Sequence, residues 1–276
     1  MEKDFEKIQR GSCTLYIHGD YRSESLEQAL LFGEKNLQKD FELQPIVSSR
    51  CARVYKFNAV FKGEIKVLYY KLYFPRSVRD RIRNFFGSSR AKRAFEAGLM
   101  LTENGLETPA VIAIGRYGNG LFGTTDFVVT LEAENTKPIA GHIPENLQNL
   151  NTEELRDYRA LIGELGRTTG KMHARGIFHG DLRIGNILAG EFEGKWRFFF
   201  LDNERTKKFI LLRPRLRLKN LVQVNMVSAK ALMYSDRWRF FRCYLDENPD
   251  IKRIRKKWAH KIIKKTRYRL RNKHLT

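Results

Sequence analysis

HGDLRIGNIL at residues 179–188 and FFFLD at residues 198–202 are the two stretches that decide the fold of this chain. An aspartate, an asparagine five residues later and a second aspartate after an apolar run are the polar groups that phosphoryl transfer needs. Asp181 is the candidate acceptor of a hydroxyl proton, whereas Asn186 and Asp202 offer the hard oxygen ligands that Mg²⁺ prefers on ATP phosphates. Their spacing predicts a phosphoryl-transfer site.

The composition excludes wholesale disorder and predicts an anionic partner. The 276 residues are 42% hydrophobic and 12% aromatic, which is enough apolar surface for a full core in one or two domains. Lys and Arg number 52 against 31 Asp and Glu, a net charge of +21. Nucleic acid, an acidic membrane surface and a phosphorylated substrate all remain open as partners.

The charge is segregated along the chain. Residues 1–44 hold nine acidic and six basic residues, so this opening is compositionally separate. Residues 205–235 hold eight basic and no acidic residues, and residues 251–276 hold twelve basic and no acidic residues. Apolar residues recur at helical spacing in the second basic stretch, which predicts a basic amphipathic helix. This helix either packs by its apolar stripe or lies at a membrane interface.

The cysteines and the length of the apolar runs bear on where in the cell the protein is expected. Cys13, Cys51 and Cys243 are widely spaced and odd in number, so we expect neither a disulfide framework nor a metal site, and a reducing cytoplasm. We expect no secretory signal, because residues 1–7 carry acidic residues and no apolar h-region. We also expect no membrane span, because no apolar run approaches about 18 residues. Any membrane contact would then be peripheral.

Alternation of apolar residues predicts a hairpin whose second strand, residues 65–73, carries Lys71. This lysine is either a surface residue or a phosphate ligand. A helix is predicted from a cap at Ser88 or Ser89 to about Glu103. Glu96 on this helix is our candidate for the ion pair with Lys71, and a solvated glutamate is the alternative.

Two glycine-containing motifs are predicted to be turns. Residues 118–123 spell a glycine-rich nucleotide loop, but they lie between two predicted strands and are interpreted as a β-turn. His18-Gly19-Asp20 is interpreted as a turn between strands. After the second of the predicted strands, Glu132, Ala133 and Glu134 would form a hinge whose backbone groups hold an adenine edge. A capping box at residues 151–154 opens a long helix, and a strand at residues 196–201 ends at Asp202.

Together these residues resemble the lipopolysaccharide kinase (Kdo/WaaP) family. The resemblance covers about residues 50–245. Besides the two opening motifs, it rests on these segments: YKLY at 70–73, SRAKRAF at 89–95, GLETP at 105–109, MHARGI at 172–177 and DRWRFFR at 236–242.

The resemblance implies an α+β, bilobal protein-kinase-like fold. The N-terminal lobe, residues 1–134 with the extension 1–44, would be an antiparallel β-sheet with one main helix. The C-terminal lobe, residues 135–276, would be mainly helical and would contain the catalytic loop and the basic helix 251–276.

The family's roles transfer to matching positions. The resemblance implies that Lys71 binds the ATP phosphates and that Asp181 is the catalytic aspartate. Asn186 and Asp202 would bind Mg²⁺. Arg183, two residues beyond the aspartate, would contact the transferred phosphate.

The implied function is an ATP- and Mg²⁺-dependent phosphotransferase with an alcohol acceptor, a heptose or Kdo hydroxyl of the lipopolysaccharide inner core. It would act at the cytoplasmic face of the inner membrane, with the core glycolipid and the anionic membrane surface as partners. One alternative is a RIO-like atypical kinase with a ribonucleoprotein partner. Another is a catalytically inactive kinase-fold scaffold.

Overall fold

A computed structural model describes residues 4–47, 51–75, 89–118, 124–227 and 232–273. Contacts divide the chain into two compact units, Met1–Leu99 with Pro109–Ala133, and Met100–Thr108 with Glu134–Thr276. Two sequence predictions lie outside the described residues: the cap at Ser88 and most of the turn at 118–123.

The first unit is built on a seven-stranded antiparallel sheet, which confirms the predicted fold class. The strand order is β1-β2-β6-β7-β5-β4-β3. The strands are β1 Phe5–Arg10, β2 Cys13–His18, β3 Gln44–Ile46, β4 Ala52–Phe61, β5 Glu64–Tyr73, β6 Val111–Tyr117 and β7 Thr125–Leu131.

The predicted hairpin is formed by β4 and β5, joined by Lys62 and Gly63. Both joining residues have positive φ angles, 51° and 84°, the conformation of the tight turn that matches strand twist. Lys71 is paired with Val54 on one side and with Val128 on the other. It therefore lies in a central strand, where its backbone position is fixed by both neighbours.

The acidic opening is part of this sheet and includes two helices, α1 Glu24–Phe32 and α2 Glu34–Asp40. Our interpretation of His18-Gly19-Asp20 as a turn between strands was wrong, because β2 is followed by a short 3₁₀ turn and then by α1. The side chain of Ser23 caps α1 by accepting from the N–H of Leu26. Strand β2 joins the sheet because its apolar residues alternate: Cys13, Leu15 and Ile17 are buried on one face of the strand.

The predicted helix after the hairpin is α3, Arg90–Glu103. Ser89 caps it, since its Oγ accepts a hydrogen bond from the N–H of Lys92 at 3.1 Å. Gly105 ends it with a φ of 62°, while the N–H of Leu106 donates back to the carbonyl of Leu101. The predicted cap at Ser89 and the predicted end at about Glu103 are both confirmed.

The second unit is mainly helical. Its helices are α4 Thr152–Ala174, α5 Pro214–Val224, α6 Tyr234–Asp246, α7 Pro249–Lys252 and α8 Arg255–Lys273. Its short strands are β8 Lys137–Pro138, β9 Ile177–Phe178, β10 Ile187–Phe192, β11 Lys195–Phe200 and β12 Lys207–Lys208. These strands pair as β11-β10-β8 and as β12-β9.

Three glycines on α4 face α6 at close range. The predicted capping box opens α4, with Asn151 and Glu154 bonded reciprocally. A Cβ added at Gly166 would lie 2.9 Å from the carbonyl carbon of Phe240, and one at Gly170 would lie 2.8 Å from Cβ of Glu247. At Gly163 the nearest atom would be Sγ of Cys243, at 3.4 Å. Glycine therefore allows the backbone of α6 to approach at the second and third positions.

The basic tail packs by its apolar stripe. Ile251, Trp258 and Ile262 are buried in a cluster with Leu218 and Phe241. The helix is interrupted between α7 and α8, so Ile254 is about half exposed and does not join the predicted stripe. The basic side chains of α8 whose burial is described are exposed: Arg255, Lys256, Lys257, Lys261, Lys264, Lys265, Arg267, Arg269 and Arg271.

We expect Gly166→Ala to lower the free energy of unfolding by roughly 2 kcal/mol, because the backbone of α6 must shift away from the added methyl group. Gly163→Ala is the matched control on the same helix. Its methyl group meets only a side-chain sulfur, and the gain in helix propensity, about 1 kcal/mol, should leave stability equal or higher. Urea unfolding of both variants tests this; equal effects would contradict the close approach.

Candidate active site

His179 anchors the loop that carries Asp181. Its side chain is fully buried, and its Nδ1 accepts a hydrogen bond from the N–H of Asp181 at 3.1 Å. Its Nε2 lies 3.0 Å from the carbonyl oxygen of Leu201. Because Nδ1 is an acceptor, Nε2 must carry the proton and donate. Burial lowers the pKa of His179, which keeps the ring in this neutral form.

Asn186 links the loop to the end of β11. Its Nδ2 donates to the carbonyl of Asp181 at 2.9 Å, and its own carbonyl accepts from the N–H of Leu201, also at 2.9 Å. Leu201 directly precedes Asp202. One hydrogen-bond network therefore holds the backbone around all three predicted residues, Asp181, Asn186 and Asp202.

Asp202 begins a 3₁₀ turn in a left-handed conformation, with φ 58° and ψ 45°. Asp is one of the few non-glycine residues that tolerate this region. The next residue, Asn203, is buried and donates to Oγ1 of Thr108 at 2.8 Å and to the carbonyl of Phe200 at 2.9 Å. Thr108 also donates to the Phe200 carbonyl. These bonds anchor the turn that presents Asp202.

Two side chains contact the Asp181 carboxylate at the same oxygen: Gln223 donates a hydrogen bond and Arg183 forms an ion pair. Nε2 of Gln223 lies 3.1 Å from Oδ1, and Nε of Arg183 lies 3.0 Å from it. Arg183 is 59% exposed and Asp181 is 31% exposed. Contact of Arg183 with a transferred phosphate stays a prediction.

A buried polar cluster behind the loop was missed in the sequence. Asn220 and His173 are essentially inaccessible, and His173 contacts Asn220 at 3.2 Å and the hydroxyl of Tyr244 at 3.0 Å. Burial lowers the pKa of His173 to about 3. The available signal was a pair of amides three residues apart, Asn220 and Gln223, among the apolar residues of α5.

A magnesium ion fits the donor set of Asn186 and Asp202. The amide of Asn186 is oriented by the bond from its Nδ2, which leaves Oδ1 as an oxygen ligand beside one carboxylate. Within the described residues, no group of three or more His, Cys, Asp or Glu residues could hold a metal. Water molecules and bound phosphate oxygens would complete the coordination.

Lys71 and Glu96 both belong to the first unit. Nζ of Lys71 lies 5.2 Å from the centre of the Tyr73 ring. Glu96 is about half exposed and lies 3.7 Å from Nζ of Lys92, one turn earlier on α3. The ion pair between Lys71 and Glu96 stays a prediction, as does phosphate binding by Lys71.

The predicted hinge residues follow β7. The carboxylate of Glu132 accepts from Nζ of Lys56 at 2.9 Å and from the hydroxyl of Tyr69 at 3.0 Å. Its N–H donates to the carbonyl of Val67 at 2.8 Å, so this group is occupied within the sheet. Ala133 is buried and Glu134 is exposed. Adenine binding by residues 132–134 stays a prediction.

Gly180 is in close contact with Arg205, in the segment that follows Asp202. A Cβ at this position would be 2.9 Å from both the carbonyl carbon and the carbonyl oxygen of Arg205. Only a residue without a side chain fits between the loop and this segment.

An apolar cavity of about 150 Å³ lies in the second unit, lined by residues that include Ile184, Val224 and Ile262. Its charged lining residues have partners of their own, since Asp236 pairs with Arg239 at 2.7 Å and Arg237 donates to the carbonyl of Val227. The cavity could bind an apolar group, but it presents few polar groups that could bind a phosphate.

The sequence and fold agree with known proteins. The sequence model of the "Lipopolysaccharide kinase (Kdo/WaaP) family" matches residues 42–244. The chain belongs to this family. A solved structure of "WaaP in complex with acyl carrier protein" matches 89% of this family member and 97% of the solved chain, with a TM-score of 0.63 at 19% identity. This likeness supports a kinase-like fold.

No curated protein sequence matches this family member. None of its described helices combines the length and the apolar character that a membrane crossing requires.

We expect stability to fall below about pH 6.5 because His173 is buried in its neutral form. The unfolded chain takes up a proton near 6.5, whereas the folded chain does so only near 3. This difference removes about 1.4 kcal/mol from the free energy of unfolding by about pH 5.5. His173→Gln, which keeps a donor for Asn220, should reduce that fall when urea unfolding is compared at about pH 7.5 and 5.5.

The exposed His260 supplies the control. His260→Gln should keep the wild-type pH dependence. If His173→Gln did the same, His173 would not be held neutral by burial.

Proposed function

We propose that this lipopolysaccharide kinase family member transfers the γ-phosphate of ATP, in the presence of Mg²⁺, to a heptose or Kdo hydroxyl of the lipopolysaccharide inner core. The observation that carries the proposal is the network joining Asp181, Asn186 and the residue before Asp202. Family membership supports lipopolysaccharide as the acceptor.

Asp181 would orient the acceptor hydroxyl and accept its proton. Both side chains that contact this carboxylate in the described chain do so at Oδ1, one by a hydrogen bond and one by an ion pair, so Oδ2 is the oxygen left for the substrate. A hydroxyl held there is aligned for attack, and alignment accounts for much of the catalysis in phosphoryl transfer. Magnesium held by Asn186 and Asp202 would supply charge neutralisation on the phosphates.

The remaining residues would bind ATP. Lys71 would pair with its phosphates, with Glu96 as the partner that positions Lys71. Arg183 would leave Asp181 for the transferred phosphate, which its exposure allows. The backbone of residues 132–134 would hold the adenine edge, with the N–H of Glu132 excluded because it is bonded to Val67.

The family match favours this reading over a RIO-like kinase with a ribonucleoprotein partner. An inactive scaffold is the alternative that only an activity assay excludes. The intact Asp181 network argues against it, because a scaffold has no need to orient a carboxylate.

We expect Asp181→Asn to lower phosphate transfer at least about a hundredfold, because the amide keeps the shape but cannot accept the proton. The assay follows labelled γ-phosphate onto isolated lipopolysaccharide core, and mass spectrometry of the product assigns heptose or Kdo. Asp157→Asn, on an exposed part of α4, is the matched control and should retain full activity. Equal labelling by wild type and Asp181→Asn would overturn the mechanism.

We also propose that the exposed basic face of α8 holds the protein at the anionic cytoplasmic surface of the inner membrane. The apolar stripe of α8 is already buried, so the attraction would be electrostatic and not by insertion of that stripe. Each lysine or arginine near such a surface contributes about 1 kcal/mol. The face would also attract the anionic core of the substrate.

We expect the triple variant Lys257→Gln, Lys261→Gln and Lys264→Gln to bind vesicles with anionic lipid roughly a hundredfold more weakly than wild type. Sedimentation with anionic and neutral vesicles measures this. The matched control replaces three exposed lysines of the first unit, Lys7, Lys35 and Lys39, with glutamine. Equal losses in both triple variants would show that net charge, and not α8, determines binding.

A further inference from the structure

The backbone N–H and C=O groups of His179 determine the orientation of the Asn220 side-chain amide. Its Oδ1 lies 3.1 Å from the N–H of His179, which can only donate. Its Nδ2 lies 2.6 Å from the carbonyl of His179, which can only accept. The oxygen and nitrogen of this amide therefore cannot be exchanged.

The orientation of Asn220 determines that of Gln223. Nδ2 of Asn220 also donates to Oε1 of Gln223 at 2.9 Å. With Oε1 engaged as an acceptor, the other end of the Gln223 amide is the NH₂ group. This group faces Oδ1 of Asp181 at 3.1 Å. The backbone of His179 thus determines the orientation of the Asn220 amide, which determines that of the Gln223 amide and places its NH₂ group against Oδ1 of Asp181.

Gln223 differs from Arg183, which forms an ion pair with the same oxygen. The glutamine is 6% exposed and its amide is held at both ends, whereas the Arg183 side chain is 59% exposed. A buried donor with a fixed orientation keeps its position when a substrate enters and an exposed side chain moves. When Arg183 turns to a phosphate, Gln223 would remain on Oδ1.

We propose that Gln223 is a positioning residue that holds Asp181 with Oδ2 turned to the acceptor hydroxyl. The inference rests on the proposed function, since it assigns Gln223 a role through Asp181. Without this donor the carboxylate can rotate, and fewer bound substrates are aligned at any instant. The loss then falls on the chemical step and leaves the affinity for ATP and acceptor unchanged.

The experiment measures single-turnover phosphate transfer to lipopolysaccharide core, together with KM for ATP and for the core. Gln223→Met keeps the volume and removes the donor, and we expect a roughly tenfold slower turnover with unchanged KM. Gln223→Glu keeps the acceptor for Asn220 but places a second carboxylate against Asp181. It should be slower still, by roughly a hundredfold. Gln148→Met, at an exposed glutamine, should match wild type.

The outcomes separate this inference from the proposed function. If wild type transfers no phosphate to the core, both fall. If wild type is active and Asp181→Asn is not, but both Gln223 variants turn over like wild type, the positioning role alone is overturned. A rise in KM without a change in turnover also overturns it. Thermal unfolding of each variant shows whether a loss of activity comes from misfolding. If Gln223→Glu does not fold, the result for Gln223→Met alone tests the positioning role.

Discussion

The pair of hydrogen bonds between Asn220 and the backbone of His179 is the constraint on which the candidate site depends. Asn220 is fully buried on α5, and His179 begins the loop that carries Asp181. A buried amide that left either backbone group unpaired would cost about 1 to 3 kcal/mol, so the two segments are held in one relation. His179 in turn donates to Leu201. Helix α5, the loop that begins at His179 and the end of β11 are thereby held together by hydrogen bonds between neutral groups.

Neutrality is a physical requirement of this network in a strongly basic chain. Both histidines serve as an acceptor at one ring nitrogen and a donor at the other, a role that only the uncharged ring can fill. Burial provides the neutral form, because desolvation lowers both pKa values. The positive charge of the described tail remains at the surface, where water screens it.

Local signals in the sequence predicted much of the fold, and longer-range pairing explains what they missed. The hairpin turn at Lys62 and Gly63, the cap at Ser89 and the capping box at Asn151 each involve neighbours within a few residues. The spacing of Asp181, Asn186 and Asp202 is likewise local. The role of Gln223 depends on a partner 42 residues away, and no local pattern encodes that contact. The interpretation of residues 18–20 as a turn between strands was wrong because the cap at Ser23, only three residues further on, opens a helix and not a strand.

Gly180 has a consequence for how such an enzyme is controlled. The carbonyl group of Arg205 occupies the space that a side chain would need, so the segment after Asp202 rests directly on the backbone of the loop. This segment is ordered by packing and by the bonds of Asn203, and it needs no added phosphate to order it. Under the proposed function, the site would be assembled without phosphorylation of this segment, and turnover would follow the supply of acceptor and nucleotide.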